Sequence, residues 1–219
     1  MFKSLPFLGN ISQKKSTLAI GVVWLFQLSA TIGIALGASE WFLSKTPYTL
    51  FLYSLLSFWI FPFENKKFAL SALVLILIGF LAEWIGVNHL SLFGEYHYGK
   101  NFGFQLDGTP LIIGFNWMVL ALVSKSIVSH FSSQKAFVAL GAAVLMVVLD
   151  VSMELVADAF GFWHFQGGMP PLKNYLSWFV IGLLMQVIIS NFKLEKQFTF
   201  SLHYYLVNLF FFSFFAFYY

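Results

Sequence analysis

The chain of 219 residues is 59% hydrophobic and 10% charged, with 12 basic and 9 acidic side chains and a net charge of +3; its mean hydropathy is +0.81. A soluble domain carries about 25% charge to wet its surface, so a water-soluble globule is excluded. There is no cysteine, which removes disulfides and thiolate chemistry, and every basic residue is lysine, so the arginine forks of a nucleic-acid surface are missing.

The hydrocarbon core of a bilayer is about 30 Å thick and takes about 20 helical residues to cross. Seven apolar stretches approach that length: Leu18–Ala38, Pro47–Phe61, Phe68–Asn88, Pro110–Ser129, Ala136–Ala157, Asn174–Ser190 and Phe200–Tyr219. The first is too long for the core of a cleavable signal, and the second is cut short by Pro62. No repeat or linker divides the chain, so residues 1–219 read as a single all-α integral membrane bundle of about seven transmembrane helices. Lys3, Lys14, Lys15, Lys66, Lys67, Lys125, Lys135, Lys193 and Lys196 fall on one side of these spans, and Lys45, Lys100 and Lys173 on the other. Basic connections stay in the cytoplasm. This predicts a multi-pass protein of the cytoplasmic membrane, with its N-terminus inside and its C-terminus outside.

The acids gather toward the outer side. Asp150, Glu154 and Asp158 are spaced i, i+4 and i+8 in the fifth span, on one helix face. Asp150 is about 12 Å deep at helical rise. A charge at that depth is expensive and usually marks function, and a carboxyl there is expected to be neutral and able to donate a proton. The same residues also suit a hydrogen-bonded helix contact, with Asn116 or Asn174 as partners. Glu83, one turn from the end of the third span, is either a further member of this group or an interfacial anchor.

Two outer connections, LSLFGEYHYGKNFGFQLDGT (residues 90–109) and FGFWHFQGGMPPLK (residues 160–173), are rich in glycine and aromatics. They are expected to form structured segments packed over the bundle mouth, because irregular backbone survives at membrane depth only under protein cover. Glu95, His89, His97 and His164 offer metal ligands, but no helix carries the paired Glu/His spacing of a di-iron bundle, and no metal is expected. A retinal Schiff base is excluded by the absence of lysine from the seventh span.

The motifs Gly94-Glu95-Tyr96-x-Tyr98-Gly99, Leu106-x-Gly108-x-Pro110, Asn116-Trp117, Asp150-x-x-Met153-Glu154, Phe162-Trp163-x-Phe165 and Pro171-x-x-Asn174-Tyr175-x-x-Trp178-Phe179 together resemble the bacterial and archaeal carotenoid biosynthesis protein family. The likeness covers about residues 80–185. Glu154-Leu155 stands where that family commonly has Asp-Pro, a change that keeps the carboxyl. The resemblance implies a carotenoid 1,2-hydratase: a carboxylic acid protonates C2 of an acyclic ψ end group, and water adds to the tertiary cation at C1. Nothing is oxidised, so no cofactor is implied, and the partner is a carotenoid dissolved in lipid.

On that expectation Asp150 or Glu154 gives the proton and the other holds the water, with Glu95 or Glu83 in reserve. Tyr96, Tyr98, Trp117, Trp163 and Trp178 offer aromatic faces to the cation. Asn116, Asn174, Asp158, His97 and His164 complete the expected substrate contacts. The rival expectations are a lycopene-cyclase-type enzyme, which quenches the same cation with an internal double bond, and a non-catalytic carotenoid-binding or proton-coupled transport protein.

Overall fold

The computed structural model describes residues 6–219, so Lys3 lies outside the described residues. Eight α-helices follow one another: α1 (Pro6–Ala35), α2 (Ser39–Leu43), α3 (Thr46–Ile60), α4 (Lys66–Ile85), α5 (Ile112–Phe131), α6 (Lys135–Ala157), α7 (Leu172–Ile188) and α8 (Phe198–Tyr218). A π-helical turn, Gly86–Leu90, prolongs α4. Among the described residues, five segments are long and apolar enough to cross a membrane: Gln13–Ala35, Lys66–Leu90, Ile112–Phe131, Lys135–Ala157 and Glu195–Tyr218. Their number marks a multi-pass membrane protein. The other two expected spans are shorter helices: α3 has 15 residues and α7 has 17, or about 22 and 25 Å at helical rise. Phe61-Pro62 ends the first of them, as proline removes the amide and clashes with the preceding turn.

The bundle is apolar on the outside. Leu70, Leu73, Leu77 and Leu81 form an exposed stripe on α4, while Phe68, Ala72, Leu75, Gly79 and Glu83 face inward. On α6, Val144, Val148, Val151 and Leu155 are exposed, whereas Asp150 is buried. Lipid tolerates this reversal of the soluble pattern, provided that the buried polar groups are satisfied within the protein. α5 is the central helix: its residues Asn116 to Val128 are all buried, and α3, α4, α6, α7 and α8 pack against it.

The two aromatic loops are more ordered than an all-α reading anticipates. β1 (Tyr96–Tyr98) from the first pairs antiparallel with β4 (Trp163–Phe165) from the second, in the register Tyr96↔Phe165, His97↔His164 and Tyr98↔Trp163. A smaller ribbon joins β2 (Gln105–Leu106) to β3 (Thr109–Pro110). Side chains alternate across a strand, so Tyr96, Tyr98 and Trp163 turn inward and are buried while His97 faces out. Gly99 N–H extends the pairing to the Phe162 carbonyl at 2.8 Å.

Helices α4 and α5 pack closely. A Cβ on Gly114 would lie 2.5 Å from the Ile76 carbonyl oxygen, and one on Gly79 would lie 2.5 Å from Trp117 Cβ. Both glycines let the helices approach closely. Gly114→Ala must push backbone away from backbone and is expected to cost about 1–3 kcal/mol. Gly21→Ala on α1, where the added methyl meets nothing within 4 Å, is the matched control. Thermal unfolding in detergent should show a lowered midpoint for the first variant and no loss for the second.

Candidate functional site

Three carboxyls meet at the end of the bundle where α4 and α6 finish and α5 and α7 begin. Asp150 and Glu154, one turn apart on α6, point toward the first turn of α7. There Pro170-Pro171 leads into the helix, an arrangement proline permits because the first-turn amides have no helical partner. Asn174 is thereby held against α6. Its Nδ2 donates to Asp150 Oδ2 at 3.1 Å and to Glu154 Oε1 at 2.9 Å. Trp163 Nε1, brought in by β4, donates to Glu154 Oε2 at 2.7 Å.

Glu83 comes from α4. Its Oε1 accepts from Trp117 Nε1 of α5 at 2.9 Å, and its Oε2 accepts from Tyr98 Oη at 2.8 Å and from Tyr96 Oη. Burial, followed by the neighbouring Glu83 carboxyl, pushes both phenols well above their ordinary pKa, so they remain donors at neutral pH. Gly79, one turn before Glu83, supplies the clearance that seats Trp117. The Trp117 indole then stacks on Trp178 of α7, with ring centroids 3.7 Å apart and planes at 18°.

Asp150 is 0% exposed, Asn174 2% and Glu83 3%. Asp150 Oδ1 stands apart from the other carboxyl oxygens of the chamber, being buried with no hydrogen-bond partner among the described residues. Asp150, Glu154, Glu83 and Asn174 line a cavity of ≈ 20 Å³, about the room one water needs. Tyr96, Phe93, Trp163 and Trp178 complete much of its wall.

A second cavity of ≈ 80 Å³ adjoins the first and shares Phe102, Asn116 and Met153 with it. It is an oily crevice between α1, α3, α5, α6 and α8, with Leu50, Leu120, Leu149 and Phe211 among its apolar lining. Gln27, Tyr53 and Asn208 are polar members of that lining, and Tyr53 Oη donates to Gln27 Oε1 at 2.8 Å.

The structure thus brings together Asp150, Glu154, Glu83, Asn174, Asn116, Tyr96, Tyr98, Trp117, Trp163 and Trp178. It leaves four expected residues outside the chamber. Glu95 and His97 are exposed on the β1 side of the ribbon. Asp158 caps the end of α6, 79% exposed, and pairs with His164 Nδ1. The His97 and His164 rings face each other across the ribbon at 5.2 Å. Sequence reasoning missed the crevice polar residues Gln27, Tyr53 and Asn208. Their signal was a single amide or phenol within an otherwise apolar span, which calls for a reason.

Asn174→Leu removes the amide shared by Asp150 and Glu154. Leaving two buried acceptors without a donor costs about 1–3 kcal/mol, so its unfolding midpoint in detergent should fall clearly. Asp158→Asn, at the exposed pair, should stay within about 0.5 kcal/mol of the parent.

A family model described as carotenoid biosynthesis protein matches residues 45–219. No curated protein and no solved structure matches the chain. The matched region runs from the start of α3 to the end of α8 and contains every residue of the carboxyl chamber. The chain therefore belongs to the carotenoid biosynthesis protein family.

Proposed function

We propose that the chamber hydrates the terminal C1=C2 double bond of an acyclic (ψ) carotenoid end group without a cofactor. The observation that carries this reading is Asp150 Oδ1, a buried carboxyl oxygen without a protein partner, on a residue that lines a water-sized cavity beside an oily crevice. Membership of the family supports a carotenoid as the molecule acted on.

Three carboxyls share the chamber and no lysine lines it, so they cannot all carry charge. In this reading Asp150 holds the transferable proton. Glu83 is the poorer donor, because its two oxygens already accept three hydrogen bonds and leave little room for a proton to hand on. The electron pair of C1=C2 takes the Asp150 proton at C2, which leaves a tertiary cation at C1. Trp178, which lines the cavity with Trp117 stacked on it, offers that cation a π face. One water then bonds to C1 through its oxygen and releases a proton to Glu154, and its return to Asp150 restores the pair. The product is a tertiary alcohol, and nothing is oxidised. Asn116, at the junction of the two cavities, orients the end group, and Tyr96, Tyr98 and Trp163 wall it in. Glu95, His97, Asp158 and His164 take no part in the chemistry.

The same reading has seven helices crossing the cytoplasmic membrane, with the lysine-rich end inside and the chamber toward the outer leaflet. The shorter α3 and α7 are accommodated by local thinning of the bilayer.

Expression in a host that accumulates an acyclic carotenoid should yield pigment heavier by one water per reacted end. Asp150→Asn should lower turnover by about 100-fold or more, the usual contribution of a positioned acid. Glu154→Gln should lower it less, and Glu95→Gln should leave it unchanged. Leu50→Trp, which narrows the crevice away from the carboxyls, should raise KM more than it lowers kcat. A ring-bearing product of unchanged mass identifies a cyclase, and bound pigment without turnover identifies a binding protein; either result removes hydration.

A further inference from the structure

The end of the bundle opposite the carboxyls holds a second polar feature, independent of the reaction proposed above. Lys125 is near the C-terminal end of α5 and only 4% exposed. Among the described residues its Nζ has no hydrogen-bond or ion-pair partner, while the neighbouring Ser126 hydroxyl is committed to the Leu194 carbonyl at 2.8 Å. Its three N–H donors have an acceptor to find, and the crevice beside it is where one can enter. Lys125 lines a crevice of ≈ 410 Å³ between the end of α5, the start of α6 and the α7–α8 connection.

Lys135 and Lys193 line the same crevice, together with the hydroxyls of Ser132 and Ser133. Glu195 is its one acidic member and stands beyond ion-pair distance of all three lysines. Three lysines against one glutamate leave two net positive charges. Lys135 Nζ already reaches Asn191 Oδ1 at 2.7 Å, so that ammonium is held in place. Phe131 lines the crevice and is 73% exposed, and Phe137, next in the chain to the lining residue Val138, is 54% exposed.

We propose that this crevice binds the phosphate oxyanion of an anionic phospholipid headgroup. Lys125 and Lys193 contact the phosphate oxygens, the serine hydroxyls complete its shell, and Phe131 and Phe137 lie against the acyl chains. A basic pocket between helix ends, rimmed by apolar surface, has the chemistry of a headgroup site. The recognised group is the phosphate, which free inorganic phosphate also carries.

The test uses the full chain purified in detergent, titrated with phosphatidylglycerol, with phosphatidylcholine or with inorganic phosphate. Bound ligand is counted by native mass spectrometry, and stability is followed by thermal unfolding. Phosphatidylglycerol should be retained and should raise the unfolding midpoint, whereas the other two should do neither. Lys193→Gln, a surface change, should weaken retention about fivefold, the equivalent of the ~1 kcal/mol a basic residue contributes near anionic lipid. Lys125→Gln should weaken it further. An equal response to inorganic phosphate assigns the anion site to a soluble ligand and overturns the lipid. Retention unchanged in both variants overturns the site itself.

Discussion

A carboxyl group kept from water must find its donors within the protein, and this constraint organises the whole end of the bundle where the three acids meet. Glu83 and Glu154 are each served by two different elements. Glu83 receives Trp117 from the central helix and two tyrosines from β1. Glu154 receives Trp163 from β4 and Asn174 from α7. The β1–β4 ribbon is therefore more than a lid. It delivers hydrogen-bond donors to acids that belong to two different helices, and it has to be a paired strand for its alternate residues to face inward.

That arrangement also separates the three acids by how much of their bonding capacity is used. Glu83 accepts three hydrogen bonds, Glu154 is bonded at both oxygens, and Asp150 keeps one oxygen free. On the proposed reading, this gradient suits Asp150 to donate, Glu154 to receive and Glu83 to hold the scaffold. Buried polar groups left unsatisfied are rare and costly, so the free oxygen is the most informative atom in the site. Around it stand Glu83, Glu154, two amides and aromatic rings, while the adjoining crevice is lined without a charged residue, which suits an oily molecule.

Much of this was legible in the residues. The i, i+4 spacing places Asp150 and Glu154 on one face, and the acid-poor composition makes each buried acid conspicuous. The loop aromatics were readable as a cover. Which donor meets which acid was not, because Tyr96 and Tyr98 reach Glu83 only after two loops more than sixty residues apart have paired. The alternation Tyr96-His97-Tyr98 and Trp163-His164-Phe165 was the available clue, and it explains why both histidines turn away from the chamber. Asp158 keeps the helical spacing of its neighbours but stands past the last turn of α6, so it meets solvent and His164 instead. Gly79 was invisible as a site residue, since its contribution is the absence of a side chain where Trp117 must pass.

The acid chamber lies wholly within residues 45–219, but one wall of the neighbouring crevice is made by Gln27, Ala30 and Ile34 of α1, ahead of that region. If the chamber hydrates a carotenoid as proposed, reactivity and fit are entrusted to different stretches of polypeptide. An exchanged or remodelled leading helix can widen or narrow the space offered to a hydrocarbon tail while the proton-handling residues stay as they are. On that reading, divergence in which pigments are accepted has in that helix a place to accumulate, at little risk to the proposed chemistry.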